Sequence, residues 1–155
     1  MLKIDHVFGI ADSGFALDPS ELTGDINVDS RSAYVTKFVG GKLASIGADG
    51  YIKLADGATN EFTEGFIIND AAGYFMENTP ALASGIVSVL VGGGVVYTDQ
   101  VVDTNVVAGD KLYAGTGANV GILTKTNPHK TAGAVVAIAR SANSATDKTV
   151  RVRFL

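Results

Sequence analysis

From Tyr34 to Leu155 no stretch of this chain keeps the apolar period of a helix through three turns. Short β-rich runs between glycines take its place. "AYVTKFVGGKLASIGADGYIKLADG" is cut at Gly40-Gly41 and again at Gly47-Ala48-Asp49-Gly50, and "GIVSVLVGGGVVYTDQVV" reads as two strands about a glycine turn. The tail "KTVRVRFL" alternates, with Val150, Val152 and Phe154 on one face and Thr149, Arg151 and Arg153 on the other. "AGAVVAIA" (Ala132 to Ala139) does not alternate; its valines and flanking glycine favour a doubly buried strand over a short helix. The pattern predicts an all-β domain, a barrel or a sandwich.

The β-rich region also reads as a repeat. The segment from Gly40 to Val91 overlays Ala108 to Leu155, so that "GGKL" meets "GDKL" and "GADG" meets the loop "GTGANVG". In this overlay Gly65-Phe66-Ile67-Ile68 falls on Gly133-Ala134-Val135-Val136, and "GIVSVLV" falls on "KTVRVRF". The expected organisation is residues 1–32 as an N-terminal arm and 33–155 as a single domain of two similar halves, about 40–91 and 108–155.

The overlay bears on the glycine-rich stretch "AGDKLYAGTGANVGILTKT". Gly115, Gly117 and Gly121 run G-x-G-x-x-x-G, one residue longer than the dinucleotide fingerprint, and a strand-like run follows them where that fingerprint needs a helix. No Gly-Lys-Ser/Thr is present. The loop is expected to be a turn between strands, its glycines and Asn119 supplying positive φ.

The arm carries Asp5, Asp12, Asp18, Asp25 and Asp29 among scattered apolar residues. "DPSELTG" can make one helical turn, with Asp18 as its cap, Pro19 first and Gly24 last. The rest reads as extended. It is either a loose terminus or a segment that orders on a neighbour, and in the second case Val7, Phe8, Phe15 and Leu17 are its contact residues. They are too sparse to build a core of their own.

Chemistry is hard to place on this sequence. There is no cysteine, and the two histidines, His6 and His129, fit no zinc-ligand spacing. No nucleophile elbow appears. Asp99, Asp103 and Asp110 flank a strand-and-turn region where oxygen ligands for calcium are conceivable, but turn aspartates bonding their own backbone account for them more simply. The expectation is therefore no enzyme, no cofactor and no metal. With a net charge of −4 and no basic block, no nucleic-acid partner is expected. No apolar run is long enough for a membrane helix. Charged residues make up 18% of the chain against 46% hydrophobic, whereas an average soluble domain is about 25% charged. So few charges point to surface covered by subunits or partners.

From Val106 onward, "VVAGDKLYAGTGANVGILTKT" and "TAGAVVAIARSANSATDKTVRVRFL" resemble the head decoration, or cement, proteins of tailed bacteriophages. That resemblance implies a β-tulip-like barrel assembled as a homotrimer. It also implies synthesis in the host cytoplasm and a place on the capsid exterior, where the protein binds the major capsid protein between neighbouring subunits and braces the shell. In that setting the arm's four apolar residues would touch the capsid or an adjacent subunit. A tail or baseplate component and a surface glycan-binding module are the alternatives.

Overall fold

The computed structural model describes residues 2–7, 11–16, 38–58, 62–68, 86–128 and 134–155. For residues 4–7, 11–16 and 86–87 it describes the backbone. The helical turn expected at Asp18 to Gly24 lies outside these residues, as do Phe8, Leu17 and His129.

Eleven strands are described: β1 (Leu2–Val7), β2 (Ala11–Ala16), β3 (Leu43–Ile46), β4 (Ile52–Leu54), β5 (Thr63–Ile67) and β6 (Ile86–Val91), then β7 (Gly94–Thr98), β8 (Lys111–Ala114), β9 (Leu123–Thr124), β10 (Ala137–Ala139) and β11 (Val150–Phe154). They form two sheets, ordered β1-β7-β11-β10-β8-β9 and β2-β6-β5-β3-β4. Both ladders are antiparallel throughout. Neither sheet closes on itself among the described residues, so the all-β architecture is a sandwich and the barrel alternative is set aside. The strand expected over Ala132–Ala139 is shorter than its sequence suggested, beginning at Ala137, with Ile138 half-buried between two buried alanines.

The repeat is visible in the strand order. β6-β5-β3-β4 in one sheet has the same order as β11-β10-β8-β9 in the other. The hydrogen bonds fix the register. Ile67 pairs with Val89, and Ala139 pairs with Val152. Ile68 N–H donates to Ser88 O at 2.9 Å, and Arg140 N–H donates to Arg151 O at 2.6 Å. By these pairings "GIVSVLV" and "KTVRVRF" take equivalent places in their sheets. The middle of the overlay needs correction, because Gly41 matches Gly109 and Gly65 matches Ala137. The shared Lys-Leu letters and the glycine that opens each apolar run favour an offset that the ladders do not allow.

The two halves turn opposite faces to their common core. Leu43, Phe66 and Leu90 of the first half pack with Leu112, Ala139, Val150, Val152 and Phe154 of the second in one cluster. Phe66 and Phe154 meet edge to face across it, ring centres 5.5 Å apart. In the second half the positions matching Leu43, Phe66 and Leu90 are Lys111, Ile138 and Arg153, which lie on the outer face. Ala44, Ile67 and Val89, which match the second half's core residues, form a separate buried cluster with Phe38, Ile52 and Leu54 on the far face of their sheet. The five-stranded sheet is thus apolar on both faces and the six-stranded sheet on one.

Two short connections tie the sheets. The chain crosses from β6 to β7 through Gly92, at φ 81°, and Gly93, so the strands about the glycine turn belong to different sheets. Thr98 Oγ1, fully buried, donates to Gly41 O at 3.0 Å across the two halves.

Candidate functional site

The glycine loop from Gly115 to Gly121 is a turn, and several of its amides close it. Gly115 N–H donates to Ile122 O, Asn119 N–H to Thr116 O, Val120 N–H to Gly117 O and Ile122 N–H to Asn119 O, at 2.8–3.3 Å. Gly117–Asn119 make one 3-10 turn. Gly121 reaches across to the first half: its N–H donates to Ala55 O at 2.8 Å, and its carbonyl accepts Leu43 N–H at 2.8 Å. With φ at 77° and Leu54 Cδ2 only 3.0 Å from where a Cβ would stand, glycine is required there. Through Gly121 the loop binds the first half of its own chain.

The three aspartates considered for calcium are also spoken for. Asp103 Oδ2 accepts Lys125 N–H at 2.7 Å and Thr124 Oγ1 at 3.1 Å. Asp110 Oδ2 accepts Val107 N–H at 2.9 Å and pairs with Lys125 Nζ at 2.9 Å. The Lys125 hydrogen bond, and after it the Val107 amide, hold the Asp110 carboxyl below its ordinary range. Asp99 accepts from the Gln100 side chain at 3.0 Å. Burial raises its carboxyl, but hydrogen bonding outweighs that and its value is lowered. Among the described residues no group of three or more metal-binding side chains converges.

Asn143 organises the same region, a role that its sequence context did not announce. Its Oδ1 accepts Val106 N–H at 2.9 Å, while its Nδ2 donates to Asp103 O at 2.8 Å and Lys148 O at 3.3 Å. The long strand-free stretch before β8 is pinned by this one amide and by Lys125, which also donates to Asn105 O at 3.0 Å. Nearby, Lys3, Tyr97, Asp99 and Thr149 line a hollow of about 120 Å³. Small-molecule pockets run to about 300–1,000 Å³, so this hollow is undersized for such a ligand.

The features that remain are surfaces. The arm segment supplies the first strand in the order of each sheet, β1 beside β7 and β2 beside β6. Val7 stands opposite Gly94 at the end of β1, and Phe15 stands opposite Val87 just past a register shift in β2. The two contact residues that are described therefore sit on different sheets. Exposed apolar side chains elsewhere are Ile46, Phe62, Val102, Val107 and Leu155, with Phe62 80% exposed. Among the described residues no helix is long and apolar enough to cross a membrane.

No protein-family model matches the chain, and no curated protein does. Its fold does have a counterpart among solved structures. A chain in the capsid of Myoviridae phage XM1 superposes with a TM-score of 0.50 at 15% identity, covering 97% of this chain and 86% of that one. The likeness is one of fold, and it takes in both sheets.

Proposed function

We propose that this chain is a structural protein of a tailed-phage virion. It decorates the outer capsid surface, binds the major capsid protein between neighbouring subunits and stabilises the shell. The observation that carries this reading is the fold shared, over nearly the whole chain, with a chain of the phage XM1 capsid. The decoration-protein resemblance of the second half gives independent support. The engaged aspartates fit a structural role, in which affinity comes from surface burial multiplied over many copies.

In this reading the protein self-associates, as a trimer, and the 1–32 segment touches capsid or neighbour through Val7, Phe8, Phe15 and Leu17. The test is cryo-EM of the particle, supported by binding of purified protein to shells that lack it. Density on the capsid exterior at junctions between major capsid subunits is the expected result. Density confined to the tail or to the capsid interior would overturn the reading.

A further inference from the structure

Charge is divided between the halves. Residues 1–91 hold twelve of the sixteen acidic side chains and five of the twelve basic ones, for a net of −7; residues 92–155 hold four and seven, for +3. The modest total of −4 conceals this polarity.

The basic half displays its charge in a regular array. On the outer face of the six-stranded sheet, cross-strand pairing sets Lys3, Tyr97 and Arg151 in one row. Val95, Arg153, Ile138 and Lys111 make a second. Lys3, Lys111 and Arg153 are exposed, and the apolar members are half-buried. The Lys3 ammonium and the Arg151 guanidinium lie 6.0 and 5.9 Å from the centre of the Tyr97 ring. Arg153 and Lys111 are two strands apart, about 10 Å at ordinary strand spacing. Among the described side chains of these rows there is no carboxylate; the second row also reaches His6 on β1, where Asp5 is the extra residue of a bulge.

The acidic half carries a patch of the opposite character. Between β3 and β5 the register jumps, with Ala44 opposite Gly65 and Ser45 opposite Thr63, so Glu64 is the extra residue of a bulge. The same register brings Ile46 and Phe62 alongside each other at the end of that pair. Both are exposed, Phe62 at 80%, and the exposed Asp49 follows in the next turn. Two apolar side chains are thus flanked by two carboxylates.

We propose that these two surfaces bind each other between copies of this chain, head to tail. Phe62 and Ile46 of one copy seat on Val95 and Ile138 of the next, and Glu64 and Asp49 meet Arg153 and Lys111. Within the chain the two sheets likewise meet through non-equivalent faces, since the positions that match Leu43, Phe66 and Leu90 of the core are the outward Lys111, Ile138 and Arg153. Different patches meet on the two sides, so the contact is heterologous, and it makes a ring where the rotation between copies closes and a filament where it does not. A second copy suits the face better than nucleic acid. Tyr97 is half-buried and already has the Lys3 ammonium and the Arg151 guanidinium near its ring, and the net charge of −4 disfavours a polyanion. This inference rests on the self-association reading above and identifies the interface.

The experiment measures the mass of the full-length protein by light scattering and sedimentation, for the native chain, Arg153→Glu, Glu64→Lys and the double variant. Each single reversal should weaken association by about tenfold or more, and the double variant should recover it. Raising ionic strength from about 0.1 M to about 1 M, which shortens the screening length from about 10 Å to about 3 Å, should weaken the native assembly. Both positions are at least partly solvent-accessible, so circular dichroism spectra of the variants should match the native chain and exclude misfolding. An assembly indifferent to both reversals and to salt would overturn the interface while leaving self-association standing. A native chain that stays monomeric at every concentration would overturn both. Binding of a short DNA duplex by the native chain, lost in Arg153→Glu with the mass unchanged, would assign the face to nucleic acid and overturn the proposal as well.

Discussion

Gly41 and Gly109 occupy the same turn in the two halves. Each has φ at 97°. Gly41 donates its N–H to Ile67 O at 2.8 Å and Gly109 donates to Ala139 O at 2.9 Å, while the following residue, Lys42 or Asp110, accepts the return bond from Ile67 or Ala139. Positive φ at the third position of a tight turn is a glycine requirement. The two residues mark the register of the repeat more surely than any similarity of side chains.

The opposed faces of the repeat make matched positions unequal. Leu90→Ala, inside the inter-sheet core, should cost about 2–5 kcal/mol. Arg153→Ala, at the matching position of the second half, should change stability by no more than about 0.5 kcal/mol. Urea unfolding of the two variants measures both. Equal effects would mean that the faces are assigned wrongly.

The glycines separate by cause. A Cβ on Gly57 would stand 2.1 Å from Ala114 O, so Gly57→Ala must displace backbone, with an expected cost of at least about 2 kcal/mol. Gly117 has φ at 60° and open space around its missing Cβ. Gly117→Asn should therefore cost less than about 1 kcal/mol, since asparagine tolerates that conformation. Melting temperatures will order them.

Asn143→Ala removes three hydrogen bonds, one of them holding Val106 N–H. The expected loss is about 1–3 kcal/mol. Amide exchange at Val106 should accelerate more than exchange at Val152, which belongs to the β11 ladder.

Asp110 predicts a pH dependence. Its folded value is depressed by Lys125 and the Val107 amide, so its contribution is present above the unfolded carboxylate value and is lost as pH falls through the folded one. The native chain should therefore be more stable than Asp110→Asn at neutral pH. That advantage should shrink on acidification below about pH 4, the ordinary aspartate value. A gap constant across that range would remove the assignment.

Much of the architecture was legible because it rests on backbone need. The alternation of Val150, Val152 and Phe154 against Arg151 and Arg153 gave β11 its faces before any coordinates. The nearly unbroken apolar run "IVSVLV" likewise belongs to a sheet with apolar clusters on both faces. Local letters misled where spacing matters, since "GKL" and "GDKL" look alike but the turn glycine sits one place differently in each. The loop tied by Asn143 was invisible, because a lone asparagine bonding Val106 from 37 residues away leaves no periodic trace. The outer basic face is hidden in the sequence for a related reason: net charge sums over the chain, whereas Lys3, Lys111 and Arg153 come to share a face only through strand pairing. The arm read as extended, and its backbone pairs with both sheets. That partnership depends on strand edges that a linear reading does not contain.

The bridge made by Gly121 has a consequence for synthesis. Its peptide group accepts Leu43 N–H and donates to Ala55 O, closing a ladder that begins about eighty residues earlier. A ribosome delivers the first half well before that peptide exists. The nascent sheet therefore waits with Leu43 and Ala55 hydrogen-bonded to water, and with Phe66 and Leu90 lacking the residues that will cover them. Folding is held until β11 has been made and brings Val150, Val152 and Phe154 into place.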